Sequence, residues 1–312
     1  MPRMTAATVV AATAAALLLA VALLAPAADA AACKALGKQC EQWSPCCMGD
    51  YCMSQPFGCM ESEGCNKDAS YSGTPCTPRP MCKSFREDFN DPKALIDKYN
   101  YTGNPDDARF WREYPGADHA DVVDGNLVLS LQWSDKDGRG QGATLPSLRW
   151  IQYGTISARI KVAAGPGVIS SFITKTDIKD TQGDEIDFEM LGGHPQEVQT
   201  NFYWNGQIEY NRGAKWNMSS GSTTADYHVY TIDWNADRIQ WLVDGNVIRT
   251  VTPKEVDNKY PRQVGRVFFS VWDGGCNLPP GTVQWAGGPT PWCKDASKRG
   301  EVPKMFVSRA VS

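Results

Sequence analysis

Three carboxylates stand on alternate positions of one short stretch: Glu185, Asp187 and Glu189, interleaved with Ile186, Phe188 and Met190. In a β-strand successive side chains point to opposite faces, so the spacing predicts one face with three acids and another with three apolar side chains. Neighbouring carboxylates on one face repel each other and lower stability. A strand face that only met water would interleave Lys or Thr. The pattern points instead to a pair of carboxyl groups flanking a glycosidic bond, with a third acid between them. Retaining chemistry holds such a pair about 5–5.5 Å apart, whereas strand positions i and i+4 lie about 13 Å apart at the backbone. Two Glu side chains leaning together on a twisted strand can close that gap, and two Asp cannot. Glu stands at both ends and the shorter Asp in the middle.

The elements that must carry this strand read as an all-β unit. From Ser84 onward helical periodicity is scarce, with one short helix expected over 92–99. Strand-like runs recur at 126–133, 148–162, 168–175, 185–191, 197–204, 227–234, 239–243, 247–251, 266–271, 282–285 and 305–311. Turn signals stand between them, Asp244-Gly245-Asn246 and Asn235-Ala236-Asp237 among them. Many strands with little helix imply a sandwich or jelly roll. Ten of the eleven Trp lie in this unit. An indole can stack on a pyranose ring while its N–H donates a hydrogen bond, although for any single Trp core packing is the ordinary role. Trp272 stands out, at the end of a strand and before Asp273-Gly274-Gly275, where a loop would open onto a cleft.

The spelling Glu185-Ile186-Asp187-Phe188-Glu189 resembles the signature of glycoside hydrolase family 16, in its regular form without an extra residue before the last Glu. The resemblance implies a β-jelly-roll sandwich like concanavalin A, with Glu185 as nucleophile, Asp187 as helper and Glu189 as acid/base. Five further stretches narrow it: 152–159, 167–172, 198–202, Tyr230-Thr231-Ile232-Asp233-Trp234 and 281–288. These look like the fungal Crh-type transglycosylases, similar to plant xyloglucan endotransglycosylases, which join chitin to β-glucan. By that resemblance Gln199, Asn201, Trp272, Thr282 and Trp285 line the cleft. Asp273 and Cys276 depart from the pattern expected of the fungal loop. The implied substrate is cell-wall polysaccharide, and transfer onto a β-glucan acceptor is the favoured outcome. Hydrolysis of chitin or β-glucan uses the same carboxylates and stays open. So does a lectin-like wall protein that keeps the sandwich and binds without cutting.

Residues 1–31 read as a secretory signal: Arg3, an apolar run from Ala14 to Leu24, then small residues around Ala28-Asp29-Ala30. That run is shorter than the ~20 residues a membrane span needs. Residues 32–82 carry nine of the eleven Cys and no His, so in a secreted chain they read as a disulfide-stapled module rather than a zinc site. Its cysteine order partly resembles small chitin-binding modules, with Trp43, Tyr51, Phe57 and Tyr71 as the aromatics at hand; staple and sugar binder are both open. Thr77-Pro78-Arg79-Pro80 is a stiff link to the unit at 83–312. Cys276 and Cys293, the two cysteines of that unit, bracket a Gly/Pro-rich loop and are expected to be bonded. His119, His194 and His228 are scattered, which gives a metal site or Ser/His triad little support, and no cofactor is expected. A formal charge of −4 offers no basic surface for nucleic acid. The expected state is a monomer, without a membrane anchor once the signal is removed.

Overall fold

The computed structural model describes residues 84–101, 108–176 and 183–311, and the backbone of two short strands, β1 (Cys46–Met48) and β2 (Tyr51–Met53). Strands make up most of the regular structure in these three stretches. One sheet runs, edge to edge, β15 (Ala214–Asn217), β14 (Glu197–Tyr203), β13 (Glu185–Leu191), β12 (Val168–Lys175), β19 (Gly265–Asp273), β10 (Thr144–Ile151), β5 (Phe110–Arg112) and β4 (Leu95–Asp97). The other runs β18 (Asn246–Val251), β17 (Ile239–Val243), β16 (His228–Trp234), β11 (Gly154–Lys161), β20 (Lys304–Val311), β7 (Asn126–Ser130) and β6 (Ala120–Val123), with β3 (Arg86–Glu87) also paired to β20. A small hairpin, β8 (Gln132–Ser134) with β9 (Arg139–Gln141), stands apart from both. The chain lays down β12 to β15 in one sheet and β16 to β18 in the other. It then returns with β19 between β10 and β12, which places the strand that ends in Trp272 beside the carboxylate hairpin.

Alternation in the sequence becomes the two-layer packing of a sandwich. Ile186, Phe188 and Met190 all turn inward and are buried, as are Tyr230, Ile232, Trp234 and Trp241 from the facing sheet. Phe188 meets Tyr230 edge-on across the layers at 5.5 Å, and Phe172 stacks between Phe188 and Phe269. Each such buried side chain contributes roughly 1.5–3 kcal/mol. The Trp241 indole donates a hydrogen bond of 3.0 Å to the backbone carbonyl of Asp187, so the opposite sheet ties down the middle of β13 from beneath.

Three expectations change. The run 148–162 is two strands in different sheets. Tyr153 at φ 66° and Gly154 at φ 125° turn the chain between β10 and β11, a backbone step that apolar residue content does not reveal. The run 282–285 is helical: Pro280 opens α1 (Pro280–Trp285), its fixed φ suiting a first helical turn. Residues 92–99 are not one helix but a tight turn capped by Asp91, then β4, then a second turn. A further short helix, α2 (Pro291–Lys294), carries Cys293, which is bonded to Cys276 with Cα atoms 5.6 Å apart. The nine N-terminal cysteines and their pairing lie outside the residues described with side chains. Among the described residues no helix is long and apolar enough to cross a membrane.

Candidate active site

On β13 the three acids share the face turned away from the core, and the register sets their neighbours. Glu185 lies between Tyr203 of β14 and Lys175 of β12, Asp187 between Asn201 and Ile173, and Glu189 between Gln199 and Ser171. Each acid meets a different surrounding. The Lys175 ammonium is 2.8 Å from Oε2 of Glu185, which makes Glu185 the acid with a cation at hydrogen-bond distance. Asp187 is buried, with Oδ1 lacking a hydrogen-bond partner among the described residues. Burial pushes its carboxyl well above the usual range, the charges of Glu185 and Glu189 and a hydrogen bond with Glu185 add to this, and Lys175 opposes it.

Glu189 is pushed up to about 8, chiefly by burial and further by the charge of Glu185, against a hydrogen bond from Ser171 that pulls it down. A like-charge account built on ionised Asp187 and Glu185 would miss the main cause, which is burial, and Asp187 is itself pushed up. At neutral pH this leaves Glu189 with a proton to give. The Ser171 hydroxyl donates to Oε2 of Glu189 at 2.7 Å and accepts from the Trp272 indole at 3.2 Å.

The residues expected to line the cleft divide. Trp272 stacks on Trp285 with ring centroids 5.8 Å apart, and the Trp285 indole donates to the Gln199 side-chain carbonyl at 2.8 Å. The Gln199 amide donates in turn to Glu197 at 2.6 Å, so both ends of Gln199 are used in fixing the indole pair beside Glu189. Asn201 faces Asp187 in register, and its Oδ1 accepts from the Phe202 amide. Thr282 is buried inside α1, and its hydroxyl has no partner among the described residues.

Lys175, Ser171 and Tyr203 were not singled out from the sequence. Burial first, and then the charges of the three acids, hold the Tyr203 phenol well above its ordinary range, so it keeps its proton as a donor. Ser171 and Lys175 share strand parity, and the register seen in the structure pairs them with Glu189 and Glu185.

Asp273 belongs to the support of the site rather than to its surface. It is buried, and its two oxygens accept from the amides of Gly140 (2.7 Å) and Gly275 (3.0 Å), the Trp292 indole (2.9 Å) and the Thr290 hydroxyl. Two glycines let the loop close here: a Cβ on Gly275 would stand 2.4 Å from the Thr290 amide nitrogen, and one on Gly167, at φ +77°, would stand 2.7 Å from it. His119 and His228 bond to Gln141 and Asp244 respectively. Among the described residues no group of three or more His, Cys, Asp or Glu could hold a metal ion.

A two-sheet sandwich with three acids alternating on one strand matches the family described as Glycosyl hydrolases family 16 over residues 111–290. The chain belongs to glycosyl hydrolase family 16. Among family relatives, Crh-like protein 2 of Aspergillus fumigatus is 34% identical over 283 residues, covering 85% of this chain and 58% of the relative. Congo red hypersensitive protein 2 of Saccharomyces cerevisiae is 34% identical over 274 residues, covering 85% and 54%. The chain therefore spans a little over half the length of these relatives. Among solved structures, Crh5 transglycosylase in complex with NAG superposes with a TM-score of 0.60 at 25% identity, over 75% of this chain and 88% of that one. The Bacillus licheniformis beta-glucanase superposes with a TM-score of 0.59 at 23% identity, over 74% and 98%, a likeness of fold. Family 16 membership and the jelly-roll sandwich are thus common ground for the sequence reading and the structure.

Proposed function

We propose that this family 16 chain is a retaining transglycosylase of the cell wall that takes a chitin or β-glucan chain as donor and passes it to a β-glucan acceptor. The observation that carries the reading is the unequal surroundings of two glutamates on one strand face: Glu185 beside the Lys175 ammonium, Glu189 half-buried and pushed up to about 8. One can attack as a carboxylate while the other gives a proton, which is what a double displacement requires. In the first half, Glu185 bonds to the anomeric carbon as the bond to the leaving sugar breaks, and Glu189 protonates the leaving oxygen. In the second, a hydroxyl of the acceptor gives its proton to Glu189 as its oxygen displaces Glu185. A sugar hydroxyl gives transfer, and water gives hydrolysis. Transfer is favoured by similarity to relatives named Crh-like and to a structure named a transglycosylase.

The stacked Trp272 and Trp285 offer a platform for a pyranose ring next to Glu189. Residues 1–31 export the chain in this reading. Residues 32–82 form a separate disulfide-stapled module, and the enzyme acts as a monomer on insoluble polymer.

A labelled chitin oligosaccharide mixed with a β-glucan oligosaccharide tests the reading in one assay. Transfer lengthens the label. A shortened label would make the chain a hydrolase, and both lengths unchanged would make it a binder that does not cut.

A further inference from the structure

The carboxylate row at Glu185 continues sideways across the sheet. Lys175 of β12 stands between Glu185 of β13 and Arg266 of β19. Arg266 is buried, its guanidinium lies over the rings of Trp111 (4.4 Å) and Trp150 (4.1 Å), and it donates to the carbonyls of Ser147 and Leu148. A fixed cation therefore lies on one side of the Lys175 position and a carboxylate on the other, which biases the flexible ammonium toward Glu185. The side chains of Lys175 and Glu185 are 27% and 20% exposed, so solvent screens this pair less than an open surface pair. The ammonium sits on Oε2, and Oε1 is taken as the attacking oxygen.

We propose that Lys175 is a positioning residue that assists the departure of Glu185 from the glycosyl-enzyme. The inference rests on the double displacement argued above. When Oε1 is bonded to the anomeric carbon, Glu185 is a neutral ester and Oε2 is its carbonyl oxygen, still at the ammonium. In the second half the ester C–O bond breaks and its electron pair returns to Glu185, while the acceptor's proton goes to Glu189. Charge thus builds on the group that Lys175 touches, and the ion pair re-forms in the transition state of that half. The pair favours free carboxylate over ester, so its loss prolongs the covalent intermediate.

The test is Lys175→Met in the full chain, with an aryl β-glycoside donor and a β-glucan oligosaccharide acceptor. Mass spectrometry of the quenched enzyme reads the glycosyl-enzyme. The expected result is a kcat lower by ~10-fold, a KM lower by about the same factor, kcat/KM held within about threefold, and a glycosyl-enzyme that accumulates. Lys175→Arg keeps the cation and should stay within about threefold of the wild type on every reading. If Lys175→Met does not fold, Lys175→Gln makes the same measurement. An active wild type whose variant loses kcat at constant KM, with no accumulated intermediate, would overturn this inference alone. Unchanged kinetics in the variant would do the same. A wild type that neither transfers nor hydrolyses would overturn the double displacement and this inference with it.

Discussion

A carboxyl group whose ordinary value is near 4.5 and which sits at about 8 carries its proton at neutral pH, and it does so at a measurable price in alkaline stability. The folded-state value lies above the ordinary one, so the folded chain binds this proton more tightly than the unfolded chain does. The resulting stability is fully present below about pH 4.5 and is lost as pH rises through about 8. Glu189→Gln cannot ionise and escapes that loss. Thermal unfolding should therefore show the variant more stable than the wild type by roughly 1–3 kcal/mol at pH 9 and nearly equal to it at pH 5. An equal difference at both pH values would sink the assignment of the raised group. The same residue predicts a kinetic split. In the proposed double displacement Glu185→Gln replaces the attacking carboxylate by a neutral amide, which does not form the glycosyl-enzyme. Glu189→Gln removes proton transfer worth about 10²–10⁴-fold. Asp187→Asn should be the mildest of the three, since in the proposed mechanism Asp187 acts on its neighbours rather than on the anomeric carbon. An aryl donor needs little help from an acid, so it should rescue the first half-reaction of Glu189→Gln and not that of Glu185→Gln. The reverse pattern in donor kinetics would exchange the two roles.

At the scale of elements, β13 is held flat against the facing sheet by Trp241, while the loop after β19 is held by Asp273 and by the Cys276–Cys293 bond. The disulfide closes a loop at a separation of 17 residues, worth about 3 kcal/mol in the chain-entropy account. Asp273 gathers four donors from three segments, and no carboxylate oxygen is left to face outward. Asp273→Asn would aim an NH2 group at donors. It should destabilise the fold by about 3 kcal/mol or more and, by loosening the loop between Gly275 and Thr290 that carries α1, lift Trp285 off Gln199. Urea unfolding with a loss below ~0.5 kcal/mol would show that Asp273 does not hold the loop. This dependence was hidden in the sequence, where Asp273 read only as a departure from a loop expected to contact sugar. The alternation of 185–191 was legible because strand period alone fixes which face each residue takes. β12, β13 and β17 begin and end where the sequence patterns begin and end. Thr282, Val283 and Trp285 read as strand because β-branched and aromatic residues favour it, yet two prolines before them start a helix instead. Lys175 and Ser171 were not legible because cross-strand partners follow from register, and the long connection between β12 and β13 carries no short-turn signal to set it.

For the whole molecule the question is whether the unit from Ser84 onward stands without what precedes it. Its buried cluster begins at Phe89 with Phe85 packed against it, and draws on both large sheets through to Ala310. The strand that opens the unit, β3, pairs with β20 near the C-terminal end at Glu87–Ala310 and Arg86–Val311, so the two ends of the unit close on each other. Arg309 adds an ion pair to Asp88 at 2.8 Å across the same seam. Every residue of the candidate site, from Ser171 to Trp285, lies inside this closure. Removing residues 32–82 should therefore leave a protein that unfolds cooperatively, with a melting temperature within a few degrees of the parent and undiminished transfer between soluble oligosaccharides. Retention on insoluble chitin is a separate reading: it should fall if the cysteine-rich segment binds sugar and stay if that segment is only a staple. A truncated chain that aggregates or melts without cooperativity would mean that the core of the unit extends into residues 32–82, and that the two-part division of the chain is wrong.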